Sequence, residues 1–349
     1  MKTQTVSSYV LANTTRTIIA KAQADLVKAQ QEATTGFVFD KGLSLGSRTG
    51  QSLSLRKEHD RLSVLIDSNG LLGERMTTSQ NALGSMVDGS QDFLETIVAM
   101  RGSAQGHAIA VNAAQGLLQT ATSLVNTNYN GEYVFAGVNT DVKPLTDYGS
   151  ADSPARAAIL QSFQDHFGFA TTDPQAATIT SADMKAYLDT SFASQFDAAS
   201  WSDNWSSASD TPVKSRIAPT ELAETSIGAN NAGIRQLAMS YVMVAEFGNI
   251  GLGQDAFDAV ITKAIETTTG ANALLAGAQS ALGTAQARTK DATDRLSVQL
   301  NVLNSSVLDL EAVDPYEAAS RVEALRTQID ASYALTVKMQ SLSLLNYLK

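Results

Sequence analysis

The sequence predicts a mainly α-helical protein: a long antiparallel rod with paired terminal helices and an inserted middle domain of mixed α/β or β structure. Three observations predict it. A 3-4 alternation of seam positions runs through residues 59–125: His59, Leu62, Ile66, Asn69, Gly73, Met76, Gln80, Leu83, Val87, Ser90, Leu94, Ile97, Arg101, Ala104, Ala108, Val111, Gln115, Leu118, Thr122 and Val125. A matching alternation returns later as Leu275, Ala278, Leu282, Ala285, Thr289, Ala292, Leu296, Leu300, Leu303, Val307 and Leu310. Between the two, five of the six prolines and both tryptophans crowd together. So narrow an apolar stripe cannot stand alone in water and must be buried against another helix. Twelve of the twenty positions in the first run are apolar and no proline interrupts it, so it reads as one helix roughly 100 Å long at ~1.5 Å per residue.

Taken in order, residues 3–34 form a first helix with Ile19, Ala22, Leu26, Ala29 and Ala33 at helical spacing. Its seam is alanine-rich, so it requires a partner. Gly36, Gly42, Gly46 and Gly50 punctuate the linker that follows. After the long helix, Glu132-Tyr-Val-Phe-Ala reads as a strand between Gly131 and Gly137. The middle holds Phe163, Phe167, Phe169, Tyr187, Phe192, Phe196, Trp201 and Trp205, enough for an aromatic core of its own. Helical reading resumes at Ala232, breaks at Gly248-Asn-Ile-Gly-Leu-Gly and restarts at Gln254 or Asp255. A last helix starts at Pro315: Asp314 supplies the cap, proline the first position and Glu317 the third. It carries Val322, Leu325, Ile329, Leu335, Met339, Leu342 and Leu345, and pairs with the first. The domain division is therefore residues 1–40 with 314–349 as a terminal coiled coil, 41–141 with 213–313 as the rod with a short β-hairpin, and 142–212 as the insert.

Composition narrows the function. A net charge of -10 argues against a nucleic-acid partner, because phosphate binding needs a basic footprint. Cysteine is absent, which excludes disulfides and thiolate metal sites. The basic, Thr/Ser-rich start lacks the apolar core of a cleaved signal peptide, and no run approaches the ~18 apolar residues of a membrane span. His59, His107 and His166 are far apart and read as solvated or seam histidines. The glycine run at residues 248–253 lacks nucleotide-loop spacing. No catalytic, cofactor-binding or metal-ligating set emerges, so the expectation is a structural protein without a cofactor, and not an enzyme.

Several runs resemble a known family. Gly131-Glu-Tyr-Val-Phe-Ala-Gly-Val-Asn-Thr-Asp-Val-Lys-Pro-Leu is similar to the stretch that ends the long helix of flagellar hook-filament junction proteins, the third hook-associated protein. Ala331-Ser-Tyr-Ala-Leu-Thr-Val-Lys-Met-Gln-Ser-Leu-Ser-Leu-Leu-Asn-Tyr-Leu resembles that family's C-terminus, and Thr35-Gly36 matches its first helix end. The resemblance covers roughly residues 1–145 and 215–349, is flagellin-like throughout, and favours the junction protein at Asn346-Tyr-Leu. One departure stands at Phe37-Val-Phe-Asp-Lys-Gly-Leu, where many members carry an Asn-Ser run ending in Asp-Asp-Pro.

The resemblance implies a subunit of the bacterial flagellum, located outside the cell and exported by the flagellar type III apparatus without a cleaved signal. It implies an adaptor joining hook to filament, with flagellin itself as the alternative. Implied partners are a neighbouring hook-associated protein, flagellin, further copies in a ring and a cytoplasmic export chaperone; nucleic acid and membrane insertion are not expected. Subunit packing would rest on Ile19, Leu26, Leu325, Ile329, Leu335, Met339, Leu342 and Leu345. A third reading, an enzyme or binding module carried on helical arms, needs a pocket in the middle domain.

Overall fold

The computed structural model describes the backbone of residues 8–100 and 106–347, and the side chains of residues 10, 13–100 and 106–339. The chain is mainly helical and divides into two compact units, Met1–Val64 with Ser297–Lys349, and Leu65–Leu296. The helices are α1 (Ser8–Thr35), α2 (Lys41–Leu45), α3 (Thr49–Ala99), α4 (Gly106–Val125), α5 (Pro154–Phe167), α6 (Ser181–Tyr187), α7 (Ala198–Asn204), α8 (Ala232–Phe247), α9 (Gln254–Glu311) and α10 (Pro315–Tyr347). Two small hairpins join them, β1 (Asn128–Tyr129) with β2 (Glu132–Tyr133), and β3 (Lys214–Ala218) with β4 (Glu221–Glu224).

In the first unit α1 and α10 lie antiparallel, tied by Gln23 Nε2 donating to Tyr333 Oη at 2.9 Å and by Arg321 to Glu32 at 3.1 Å. α10 starts where Asp314 accepts from the Tyr316 amide at 2.8 Å, with proline at the first helical position. Glu317 pairs forward with Arg321.

The second unit is a bundle of α4, α8 and the neighbouring parts of α3 and α9. Along this part of α3 every seventh residue, Asn69, Met76, Leu83, Ser90 and Ile97, is buried. Its polar members are tied to neighbouring elements: the Asn69 amide nitrogen donates to the Ile217 carbonyl at 2.9 Å and to Thr293 at 3.0 Å, and Ser90 bonds Asn272. These pairings, with Gln80 to the Gln279 carbonyl at 2.7 Å, run α3 antiparallel to α9.

The long helix expected over residues 59–125 is not one helix. α3 ends at Ala99, and α4 starts at Gly106 and returns along α3, bringing Arg75 within 3.3 Å of Glu132. A Cβ at Gly106 would lie 2.7 Å from Met100 Cβ, so glycine is what lets α4 start there. The seam alternation continues in register across the break and hides it. α4 gains by turning back, since Ala110, Val111, Ala114, Leu118 and Val125 become buried among three helices.

The turn of the first hairpin, Asn130-Gly131, has positive φ at both residues (53° and 89°), the left-handed pair that a two-residue hairpin requires. Pairing stops at Tyr133, short of the strand read through Ala136. Val134, Phe135 and Ala136 are wholly buried and bond instead to loops, as in the Ala229 amide to the Phe135 carbonyl at 2.7 Å.

The insert differs from its expectation of mixed α/β or β structure. Its described elements within residues 142–212 are helical, with a single bridge between Leu145 and Ser206. Prolines that punctuate the sequence sit at helix starts, Pro154 behind the cap Ser153 and Pro174 behind Asp173. Nor is its aromatic core separate: Phe163, Tyr187 and Phe192 all pack on Phe247 of α8 with ring centroids 5.4–5.5 Å apart. The incoming and outgoing strands of the insert touch, the Ser207 amide donating to the Pro144 carbonyl at 2.9 Å.

Candidate assembly interface

Thr15, Ile19, Ala22 and Ala29 of α1 face Ala318 and Ile329 of α10, and all are buried. Leu26, Val322, Leu325 and Met339 are half-buried beside them. With so many alanines and threonines, this seam removes little apolar surface from water, and burial contributes only about 25 cal/mol per Å². Apolar side chains also remain outside it: Val10, Ile18 and Val27 on α1, Leu335 and Val337 on α10, each at least 45% exposed. The predicted packing residues therefore fall into classes. Ile19 and Ile329 lie in the pair's own seam, Leu26, Leu325 and Met339 at its margin, and Leu335 points away at 57% exposure. Leu342 and Leu345 are on the backbone of α10, but their side chains lie outside the described residues.

At one end of the helix pair sits a charge cluster that the sequence reading missed. Glu311, the last residue of α9, is fully buried. Its carboxylate accepts from Arg56 Nε at 2.8 Å, from Lys41 Nζ at 2.8 Å and from the Ser52 hydroxyl and Arg56 Nη2. Hydrogen bonding to Arg56 opposes burial and, with Lys41 and Ser52, holds the carboxyl at about 2. The backbone completes the knot: the Val38 amide donates to the Glu311 carbonyl and the Val313 amide to the Gly36 carbonyl, each at 2.9 Å, around a bridge between Phe37 and Ala312. The two places where the helices break, after α1 and before α10, thus meet and satisfy each other's backbone groups. The available signal was faint, an acid four residues beyond Val307 on the seam and three before Asp314.

The histidines stay apart: His59 bonds Asp60, His107 stacks on Phe257 and His166 bonds Ser191. Among the described residues there is no group of His, Cys, Asp and Glu that could hold a metal ion, and no helix long and apolar enough to cross a membrane.

Residues 6–140 match the family profile of the bacterial flagellin N-terminal helical region, and residues 265–348 that of the C-terminal helical region. The chain belongs to the flagellin family. The two matched regions run from α1 through the first hairpin and along most of α9 and α10, leaving the insert and α8 between them. A solved structure described as a flagellar hook-associated protein from Vibrio parahaemolyticus shares the fold, with a TM-score of 0.52 at 11% identity over 76% of this chain and 97% of that one. Among curated proteins, none matches the chain in sequence. As a flagellin-family protein, the chain is a structural component of the flagellum that associates with copies of itself and with other flagellar axial proteins.

Proposed function

We propose that this chain is the adaptor that joins the flagellar hook to the flagellin filament, and that it works outside the cell after export. The observation that carries this reading is the likeness to the hook-associated protein, which extends over 97% of that chain. In this reading residues 1–40 with 314–349, which include α1 and α10, are the packing domain, 41–141 with 213–313 the long-helix rod domain with its short β-hairpin, and 142–212 the inserted outer domain. Ile19, Leu26, Leu325 and Ile329 hold the pair together, while Leu335 and its neighbours meet adjoining subunits in a ring. Before export, a chaperone covers the apolar end of α10.

The second reading is flagellin itself, favoured by the flagellin terminal regions that both ends match. Electron microscopy of a deletion strain separates the two. Hooks without filaments, with flagellin secreted as monomer, are expected of an adaptor. Intact filaments in that strain, or growth of the purified chain into long filaments unaided, would overturn it.

A further inference from the structure

The sequence contains two Asn-Gly pairs, and the fold treats them oppositely. Asn69-Gly70 lies inside α3, whereas Asn130-Gly131 is the turn of the first hairpin. An asparagine followed by glycine is prone to close on itself, because no Cβ hinders the glycine nitrogen from reaching the asparagine Cγ. We propose that Asn130 is a self-modifying site that turns with age into aspartate and isoaspartate, an inference independent of the adaptor reading.

The step needs only water and hydroxide. The Gly131 backbone nitrogen gives its proton to hydroxide and attacks Asn130 Cγ. The new N–Cγ bond closes a succinimide ring while the Cγ–Nδ2 bond breaks. The departing nitrogen takes a proton from water, leaves as ammonia and returns the hydroxide. Water then opens the ring at one of its two carbonyls. Opening at Cγ gives aspartate; opening at the backbone carbonyl gives isoaspartate, with the main chain rerouted through the former side chain.

Asn130 and Gly131 are both exposed, and a Cβ built on Gly131 would meet nothing within 4 Å, so the space around the nucleophile is open. Among the described residues no hydrogen bond holds the Asn130 carboxamide. One restraint is present, the Gly131 amide donating to Asn128 Oδ1 at 2.8 Å. At an exposed turn such a bond opens and recloses on the nanosecond-to-microsecond scale of loop motion, far faster than ring closure, which takes days. Asn69 has no such freedom. It is 3% exposed, its Nδ2 donates to the Ile217 carbonyl and to Thr293, and the Gly70 nitrogen is committed to the α3 ladder. Reaction there requires opening a packed helix, and its product would bury a carboxylate in the seam of α3 and α9.

The product changes the hairpin. A carboxylate at position 130 brings negative charge close to Glu132, the partner of Arg75 at 3.3 Å. Isoaspartate also adds a carbon to the main chain of the turn, whose left-handed φ pair sets the register of β1 and β2.

Peptide mapping by mass spectrometry tests this on the full chain incubated for days at pH 7 and pH 9. A synthetic peptide of residues 126–134 in the same buffers gives the rate of an unstructured Asn-Gly pair. Asn130 is expected to convert within about tenfold of the peptide's rate, the small protection of an exposed turn. Isoaspartate should be among the products, and conversion should be faster at pH 9 because hydroxide makes the nucleophile. Asn69 should convert at least about a hundredfold more slowly than Asn130, the protection of a packed helix. Asn128→Ala frees the Gly131 amide and should speed conversion at Asn130 alone. An Asn130 that outlasts the peptide by more than that margin, or an Asn69 that converts as fast as Asn130, would overturn the proposal.

Discussion

The most consequential single residue is Glu311. Its carboxyl sits at about 2, below the ordinary value of 4.5, because the folded state hydrogen-bonds the charged form. The stability this contributes is fully present above pH ~4.5 and is lost as pH falls through about 2. Glu311→Gln should therefore lose on the order of 3 kcal/mol at pH 7. Its deficit against wild type should shrink as pH is lowered from 4.5 toward 2. Urea midpoints at pH 7, 4 and 3 check both statements, and a deficit that does not change with pH would mean that the carboxylate's charge is not what matters. Nothing local in the sequence announces this cluster, since Arg56 and Glu311 are 255 positions apart. A buried acid on a seam is visible only once its partners are placed.

At the scale of the element, the two faces of α10 should behave differently. Ile329 is 8% exposed and Leu335 57%. Ile329→Asp places a charge in the α1–α10 seam, so circular dichroism of the monomer should show lost helix. Leu335→Asp should leave that signal unchanged and abolish motility. Equal loss of helix in both would show that Leu335 is needed within the single chain. A second test lies after the first hairpin. Gly137 has φ 62°, and a Cβ there would lie 2.4 Å from the Ser209 carbonyl oxygen and 2.8 Å from that of Thr211. Backbone does not yield easily, so Gly137→Ala should lower stability by about 2 kcal/mol or more, read from a thermal melt.

Elements with a local chemical signature were the legible ones. The starts at Pro315, Ala232 and Gln254 follow from caps, breaks and prolines that act within a few residues. The reversal into α4 was not legible, because its seam residues keep the same register as those of α3. The helical character of the insert was hidden by prolines that read equally well as turn punctuation. The candidate packing residues were legible as apolar spacing, but spacing cannot say which of them face α1 and which face away.

For the molecule as a whole, the insert and the helices below it share a single aromatic core through Phe247. Phe247→Ala removes a ring touched by Phe163, Tyr187 and Phe192 and should cost about 3–5 kcal/mol. Trp201 and Trp205 report on the insert by fluorescence, while helix content reports mostly on the bundle. Both midpoints in the second unit should fall together in this variant. A fluorescence transition that moves alone would show that the insert folds independently.

The contact between Pro144 and Ser207 has a practical consequence for engineering. Because the chain leaves for the insert and returns at neighbouring points, the segment between them can be exchanged as a cassette. Any graft whose ends lie as close as a hydrogen-bonded pair meets the geometric requirement without moving α4 or α8. The difficulty lies underneath, since removing the cassette uncovers the ring of Phe247. A display scaffold built on this chain thus needs two edits made together: a short turn closing residues 144 to 207, and a polar side chain in place of Phe247 wherever the cargo brings no apolar lid of its own.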